Sequence, residues 1–107
     1  MRDDHYTYRV SWSPEDREFV ASVVEFRSLS WLAPDPAAAL LGLRALVADI
    51  VDDLRASGDP VPEPLSERQY SGEFRLRIPP DLHRALAIEA AEQGVSLNRL
   101  VSAKVAS

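Results

Sequence analysis

The stretch EFRLRIPPDL, Glu73 to Leu82, restricts the folds open to this chain more than any other. Phe74, Leu76 and Ile78 alternate with Glu73, Arg75 and Arg77, the two-residue period of a strand with one apolar and one charged face. Pro79 and Pro80 end it, because proline has no N–H for a ladder and favours the first turn of a helix. The pattern beyond predicts a helix to about Gln93, closed by Gly94, and a second from Leu97 to about Ala106 with Ser96 as N-cap. A lone strand leaves its backbone N–H and C=O groups unpaired. A segment of about 35 residues also buries too little apolar surface to fold alone. Both difficulties vanish if two chains pair this strand into an antiparallel ribbon over four helices. The expected dimer core is Phe74, Leu76 and Ile78 from the ribbon, with Leu82, Leu86, Leu97, Leu100 and Val101 from the helices.

Such a ribbon turns Glu73, Arg75 and Arg77 outward. A two-stranded ribbon fits the DNA major groove, where arginine donates two bonds to guanine O6 and N7. Residues two apart on a strand lie about 6.8 Å from each other, close to two base-pair steps. Glu73, Arg75 and Arg77 are therefore the candidate base-contacting residues. The start of the last helix offers free N–H groups and partial positive charge to a phosphate, which makes Ser96, Leu97 and Asn98 candidate phosphate contacts.

The first half reads differently. Tyr6, Tyr8, Val10 and Trp12 alternate with Thr7, Arg9 and Ser11 as a half-buried strand, SPED at Ser13–Asp16 is a turn, and Glu18 to Val24 is a second strand. Leu29 to Leu32 is a candidate third. Asp35 and Pro36 open a helix that the pattern runs to about Ser57 and Gly58. Leu40, Leu43, Leu46, Val47, Ile50, Val51 and Leu54 share one arc of it, so it is expected to pack on one face of the sheet. GDPVPEPLSERQYSG, from Gly58, has three prolines and little period and reads as a semi-rigid linker. The expected organisation is a module over 1–57, a linker over 58–70 and a second module over 71–107.

Composition closes several routes. There are no cysteines, so disulfides and thiolate metal sites are excluded and a cytoplasmic location is expected. No apolar run approaches the roughly 18 residues of a membrane span, and the start MRDDHYTYRV is too charged for a signal peptide. Of the net charge of −5, residues 1–64 carry −6 and residues 65–107 carry +1. The first strand holds no carboxylate, while Glu15, Asp16 and Glu18 flank a turn and Glu25 is isolated, so a two-metal nuclease site is not expected. His5 and His83 read as surface histidines without a metal partner. No phosphate loop or nucleophile elbow is visible. The chain is expected to be no enzyme and to need no metal and no cofactor.

RLRIPPDLHRALAIEAAEQGVSLNRLVSAKVA resembles the ribbon-helix-helix DNA-binding unit. The leading YTYRVSWSPEDREFVASVVEF with LSWL, an Ala-rich helix and PVPEP are similar to the HicB family of antitoxins, over nearly the whole chain. The resemblance implies an α+β chain: a three-stranded antiparallel sheet with one long helix, like an incomplete ribonuclease H fold, followed by a ribbon-helix-helix. It implies an antitoxin that neutralises a small HicA-type ribonuclease toxin and represses its own operon as a homodimer or a dimer of dimers. Two positions depart from the family: Glu73 stands where a basic residue is common, and VEFRSL replaces a turn that often holds proline and glycine. An acidic helix face suits a basic ribonuclease, and with Trp31 on a short strand the candidate toxin-binding residues are Trp31, Asp49, Asp52 and Asp53. The alternative is a ribbon-helix-helix transcriptional regulator whose first half senses a ligand or only oligomerises.

Overall fold

The computed structural model describes residues 5–107; the first four residues of the expected N-terminal module lie outside the described residues. The chain divides into two compact units, Met1–Tyr70 and Ser71–Ser107.

The first unit is a sheet in the order β1-β2-β3, with β1 at Tyr8–Ser13, β2 at Glu18–Val23 and β3 at Ser30–Ala33, and a helix α1 at Pro36–Ser57. Both pairings are antiparallel, with Val10 opposite Ala21 and Ala21 opposite Trp31. The register gathers Tyr8, Val10 and Trp12 with Phe19, Ala21 and Val23 and with Trp31 and Ala33 on one face. Leu43, Val47 and Val51 of α1 are buried with Ala21, Val23 and Ala33 in a single core, and Leu46, Ile50 and Leu54 pack at its margin. The helix begins where the sequence predicts: the Asp35 carboxylate accepts from the Ala38 N–H at 2.8 Å, Pro36 occupies the first turn, and Gly58 closes the end in a left-handed conformation.

Several boundaries move: β1 runs on to Ser13 and β2 ends at Val23, one residue short of Val24. Tyr6 precedes β1 instead of opening it; its ring is buried edge-on against Phe26, 5.1 Å between centroids. The third strand begins one residue later than expected and runs through Ala33. The largest difference is the proline-rich segment. Residues 58–70 form a strap on the first unit, not a free linker: Pro64 is fully buried, Val61 packs on the core and Leu65–Glu67 makes one 3-10 turn. Prolines at 60, 62 and 64 hold Asp59, Val61 and Glu63 near extended geometry. Such a segment loses little entropy on docking, and side chains of the first unit meet its remaining polar groups.

The second unit consists of α2 at Pro80–Gln93 and α3 at Leu97–Ala106. Gly94 is left-handed, and the Val95 N–H closes the turn onto the Ala90 carbonyl. The Ser96 hydroxyl accepts from the Arg99 N–H at 3.0 Å. Among its residues only Ala90 and Leu100 are buried.

Candidate functional site

The second unit contains a great deal of apolar surface and almost no core. Phe74 is 82% exposed and Leu76 59% exposed, and Leu82, Ile88 and Val105 are exposed as well. Residues 73–79 form no strand within the chain. The strand expected there lacks a neighbour in the same chain, and a ladder requires one. Phe74, Leu76 and Ile78 nevertheless line one open groove with Leu86, Leu97 and Val101. Six of the eight residues expected in a shared core thus lie around a single concavity. Leu100 is buried between the helices and Leu82 is exposed. At about 25 cal/mol per Å² of apolar surface, leaving this groove in water forfeits several kcal/mol for a unit of this size.

Glu73, Arg75 and Arg77 are all exposed, and so are Ser96 and Asn98, whereas Leu97 is half-buried. The Ser96 side chain is already engaged in capping the helix, so the groups it leaves for an anion are the backbone N–H donors of the first turn. Lys104 pairs with Glu89 at 3.0 Å across the two helices, an exposed contact of little energetic weight.

In the first unit, Asp49, Asp52 and Asp53 lie exposed along α1. Trp31 is less available than its edge strand suggests. It is 43% exposed, and its ring lies so close over Gly42 that a Cβ at that position would overlap it. Trp31 therefore packs on α1 with one part of the ring and meets solvent with the rest. Trp12, on the apolar side of the first strand, is exposed and stacks edge-on with Phe19 at 5.1 Å. Among the described residues no three His, Asp or Glu side chains are grouped closely enough to hold a metal ion, and no helix is long and apolar enough to cross a membrane.

One polar cluster escaped the sequence reading. The Glu25 carboxylate accepts from the Thr7 N–H and the Thr7 hydroxyl, both at 3.0 Å, and from the Leu65 N–H at 2.9 Å. Partial burial would raise this carboxyl, but the backbone donors of Leu65, Thr7 and Glu25 itself, with the Thr7 hydroxyl, outweigh it and hold it below the usual carboxylate range. Nearby, the Tyr6 hydroxyl donates to the Pro62 carbonyl at 2.6 Å, the Ser66 hydroxyl donates to the His5 carbonyl, and the His5 ring pairs with Glu67. Glu25 stands alone in the sequence, and its partners are 18 and 40 residues away, so no local pattern marks it.

Residues 60–105 match the model of the HicB family, a span that begins within the strap and runs through both helices of the second unit. No curated protein matches the chain. No solved structure matches it either.

Proposed function

We propose that the chain is a HicB-type antitoxin and autorepressor. In this reading the second unit pairs with another copy as a ribbon-helix-helix that binds operator DNA, and the first unit captures a HicA-type ribonuclease toxin. The observation that carries it is the half-built second unit: two buried residues, and a groove lined by Phe74, Leu76 and Ile78 that a second copy fills in kind. Pairing residues 73–78 of two copies supplies the missing ladder and closes the groove in one step. It also leaves Arg75 and Arg77 on the outer face, positioned to read guanine, with the first turn of α3 beside the phosphates. The family match over residues 60–105 supports HicB membership and hence the toxin as partner. The acidic excess of the first unit supports electrostatic attraction to a basic ribonuclease.

The test has two arms. The chain is co-expressed with the product of the adjacent open reading frame, and then titrated against labelled DNA from upstream of its own gene and against a scrambled duplex at fixed salt. Co-purification of a small basic protein and preference for the upstream DNA are expected. Arg77→Ala should cost about 1–3 kcal/mol on that DNA and relax preference at one base position per half-site, with Arg75→Ala acting at a neighbouring position. Equal binding by the parent and both variants removes the ribbon as the reader. DNA binding without a captured neighbour favours the plain regulator.

A further inference from the structure

We propose that Glu73 of one copy stands opposite Arg77 of the other in the ribbon, and that this ion pair fixes the register in which the two copies meet DNA. The inference rests on the self-pairing of residues 73–78 proposed above. Phe74, Leu76 and Ile78 line the groove, so the alternating residues Glu73, Arg75 and Arg77 belong to the outer face. Directly opposed residues of a ladder point to the same face, so in a symmetric pair an outer residue meets an outer one. The usable length has firm ends. Gly72 is left-handed, at φ 85°, and leaves the extended path. Pro79 has no N–H, and its carbonyl already accepts from the His83 N–H at 3.0 Å. Two registers make the most of the segment between those ends, and all others pair fewer residues. The first centres on Arg75, pairs 73–77 of both copies, and sets Glu73 opposite Arg77 and Phe74 opposite Leu76. The second centres on Leu76, pairs 74–78, and sets Arg75 opposite Arg77 and Phe74 opposite Ile78.

Charge separates the two registers. In the first, Glu73 meets Arg77 at both ends of the ladder. The one like-charged pair, Arg75 with Arg75 of the other copy, lies on the twofold axis with a Glu73 carboxylate on each diagonal. In the second, Arg75 meets Arg77 twice, and Glu73 faces Pro79. Opposite charges across a ladder stabilise it and like charges destabilise it. None of Glu73, Arg75 and Arg77 makes an ion pair among the described residues, so all three charges are open to the other copy. The order Glu73, Arg75, Arg77 therefore favours the first register. The choice decides where the guanidinium groups stand. At about 3.4 Å per residue, the two Arg77 lie about 14 Å apart along the ribbon in the first register and about 7 Å apart in the second. The first thus spreads the arginines over about four base-pair steps, with both Arg75 at the centre. Glu73 is a positioning residue in this arrangement. Its carboxylate, a candidate base contact by sequence, holds the Arg77 fork of the other copy instead.

The test uses the full chain, with self-association measured by sedimentation equilibrium at low salt, where exposed charges are least screened. Arg77→Glu should weaken the dimer about tenfold, because it sets a carboxylate against Glu73 at both ends of the ladder. Glu73→Arg should weaken it similarly, by setting two guanidinium groups against each other. The double change Glu73→Arg with Arg77→Glu restores the pair with its charges exchanged, and should return the dimer to within about twofold of the parent. The register centred on Leu76 gives the opposite sign: Arg77→Glu then faces Arg75 and tightens the dimer, and Glu73→Arg leaves it unchanged. The chain has no cysteine, so a single introduced thiol reports its own distance from its counterpart. Arg75→Cys should form a disulfide-linked dimer on mild oxidation, since its two copies meet at the axis, and Arg77→Cys should not. Tightening by Arg77→Glu, no rescue in the double change, or no preference for cross-linking through Arg75→Cys over Arg77→Cys overturns the register and leaves the ribbon standing. A parent chain that stays monomeric overturns the ribbon and the pair together.

Discussion

The two units contain similar proportions of apolar residues and dispose of them in opposite ways. The first closes a core within one chain: α1 covers the face built by Ala21, Val23 and Ala33, and a proline-rich strap seals one margin. The second has two helices, two buried residues and a groove open to water. The difference lies in the strands. A sheet of three strands presents enough width for a 22-residue helix to bury a full stripe. A single extended segment presents no sheet at all until another segment lies beside it. A closed core in one unit and an open apolar groove in the other follow from the number of strands each encodes.

The largest effect that can break this comparison comes from Leu76→Lys. An ammonium in the proposed shared core costs several kcal/mol unless it is paired, so sedimentation equilibrium should show the loss of self-association through the tail. The melt of the first unit should be unaffected. Both tryptophans, Trp12 and Trp31, lie in that unit, so their fluorescence reports it alone. Retained assembly in Leu76→Lys removes the claim that the second unit is incomplete by itself.

Leu43→Ala makes the reciprocal change. Leu43 is fully buried, and truncation there should cost about 2–5 kcal/mol in urea unfolding followed by tryptophan fluorescence. The loss should be independent of protein concentration, whereas the stability of the second unit should rise with concentration, as mass action requires. A concentration-dependent first unit would erase the contrast.

Gly42→Ala is smaller and sharper. The added methyl overlaps the Trp31 ring, and overpacking of this kind costs about 1–3 kcal/mol. The Trp31 emission should shift to the red as the ring is displaced into solvent. Unchanged emission would mean that the ring does not rest on α1.

The smallest effect concerns acid. Glu25 is held below the usual carboxylate range in the folded unit, so its contribution is complete above that range and disappears as pH falls through the folded value. The melting temperature of the first unit should therefore drop on acidification below the ordinary carboxylate range, and Glu25→Gln should drop less over the same interval. Asp59, Glu63, Glu67, Arg68 and His5 are the other ionisable groups on or against the strap and are kept in that variant. Parallel pH profiles for the two proteins would remove Glu25 as the source.

The sequence made much of the fold legible because the decisive features are local. Asp35, Pro36 and Gly58 bracket α1, and Pro80, Gly94 and Ser96 bracket the two last helices, each by chemistry confined to a few residues. The strap was illegible for the opposite reason. Three alternating prolines read as a linker in any context, and what turns them into part of a unit is the burial of Pro64 and hydrogen bonds to residues far away in the chain, the Leu65 N–H to Glu25 and the Tyr6 hydroxyl to Pro62 among them. The packing of Trp31 on α1 is hidden from the sequence for the same reason, since the absence of a Cβ at Gly42 is what makes room for its ring. For the candidate site, the alternation of apolar and charged residues at 73–78 located the groove-lining side chains, Phe74, Leu76 and Ile78. Alternation says nothing of Glu25, whose surroundings are assembled only by the folded chain.

The three-stranded order has a consequence for solubility. Both outer strands, β1 and β3, carry backbone groups without a neighbour in the sheet, and such borders invite stacking of one molecule on the next into fibrous aggregates. Here the borders are cut short. β3 is four residues long and is followed at once by Pro34, and β1 is followed by Pro14. Proline has no N–H to extend a ladder across molecules. In the proposed dimer, strand pairing between molecules is confined to residues 73–78 and resisted at the two sheet borders, so copies join there without polymerising.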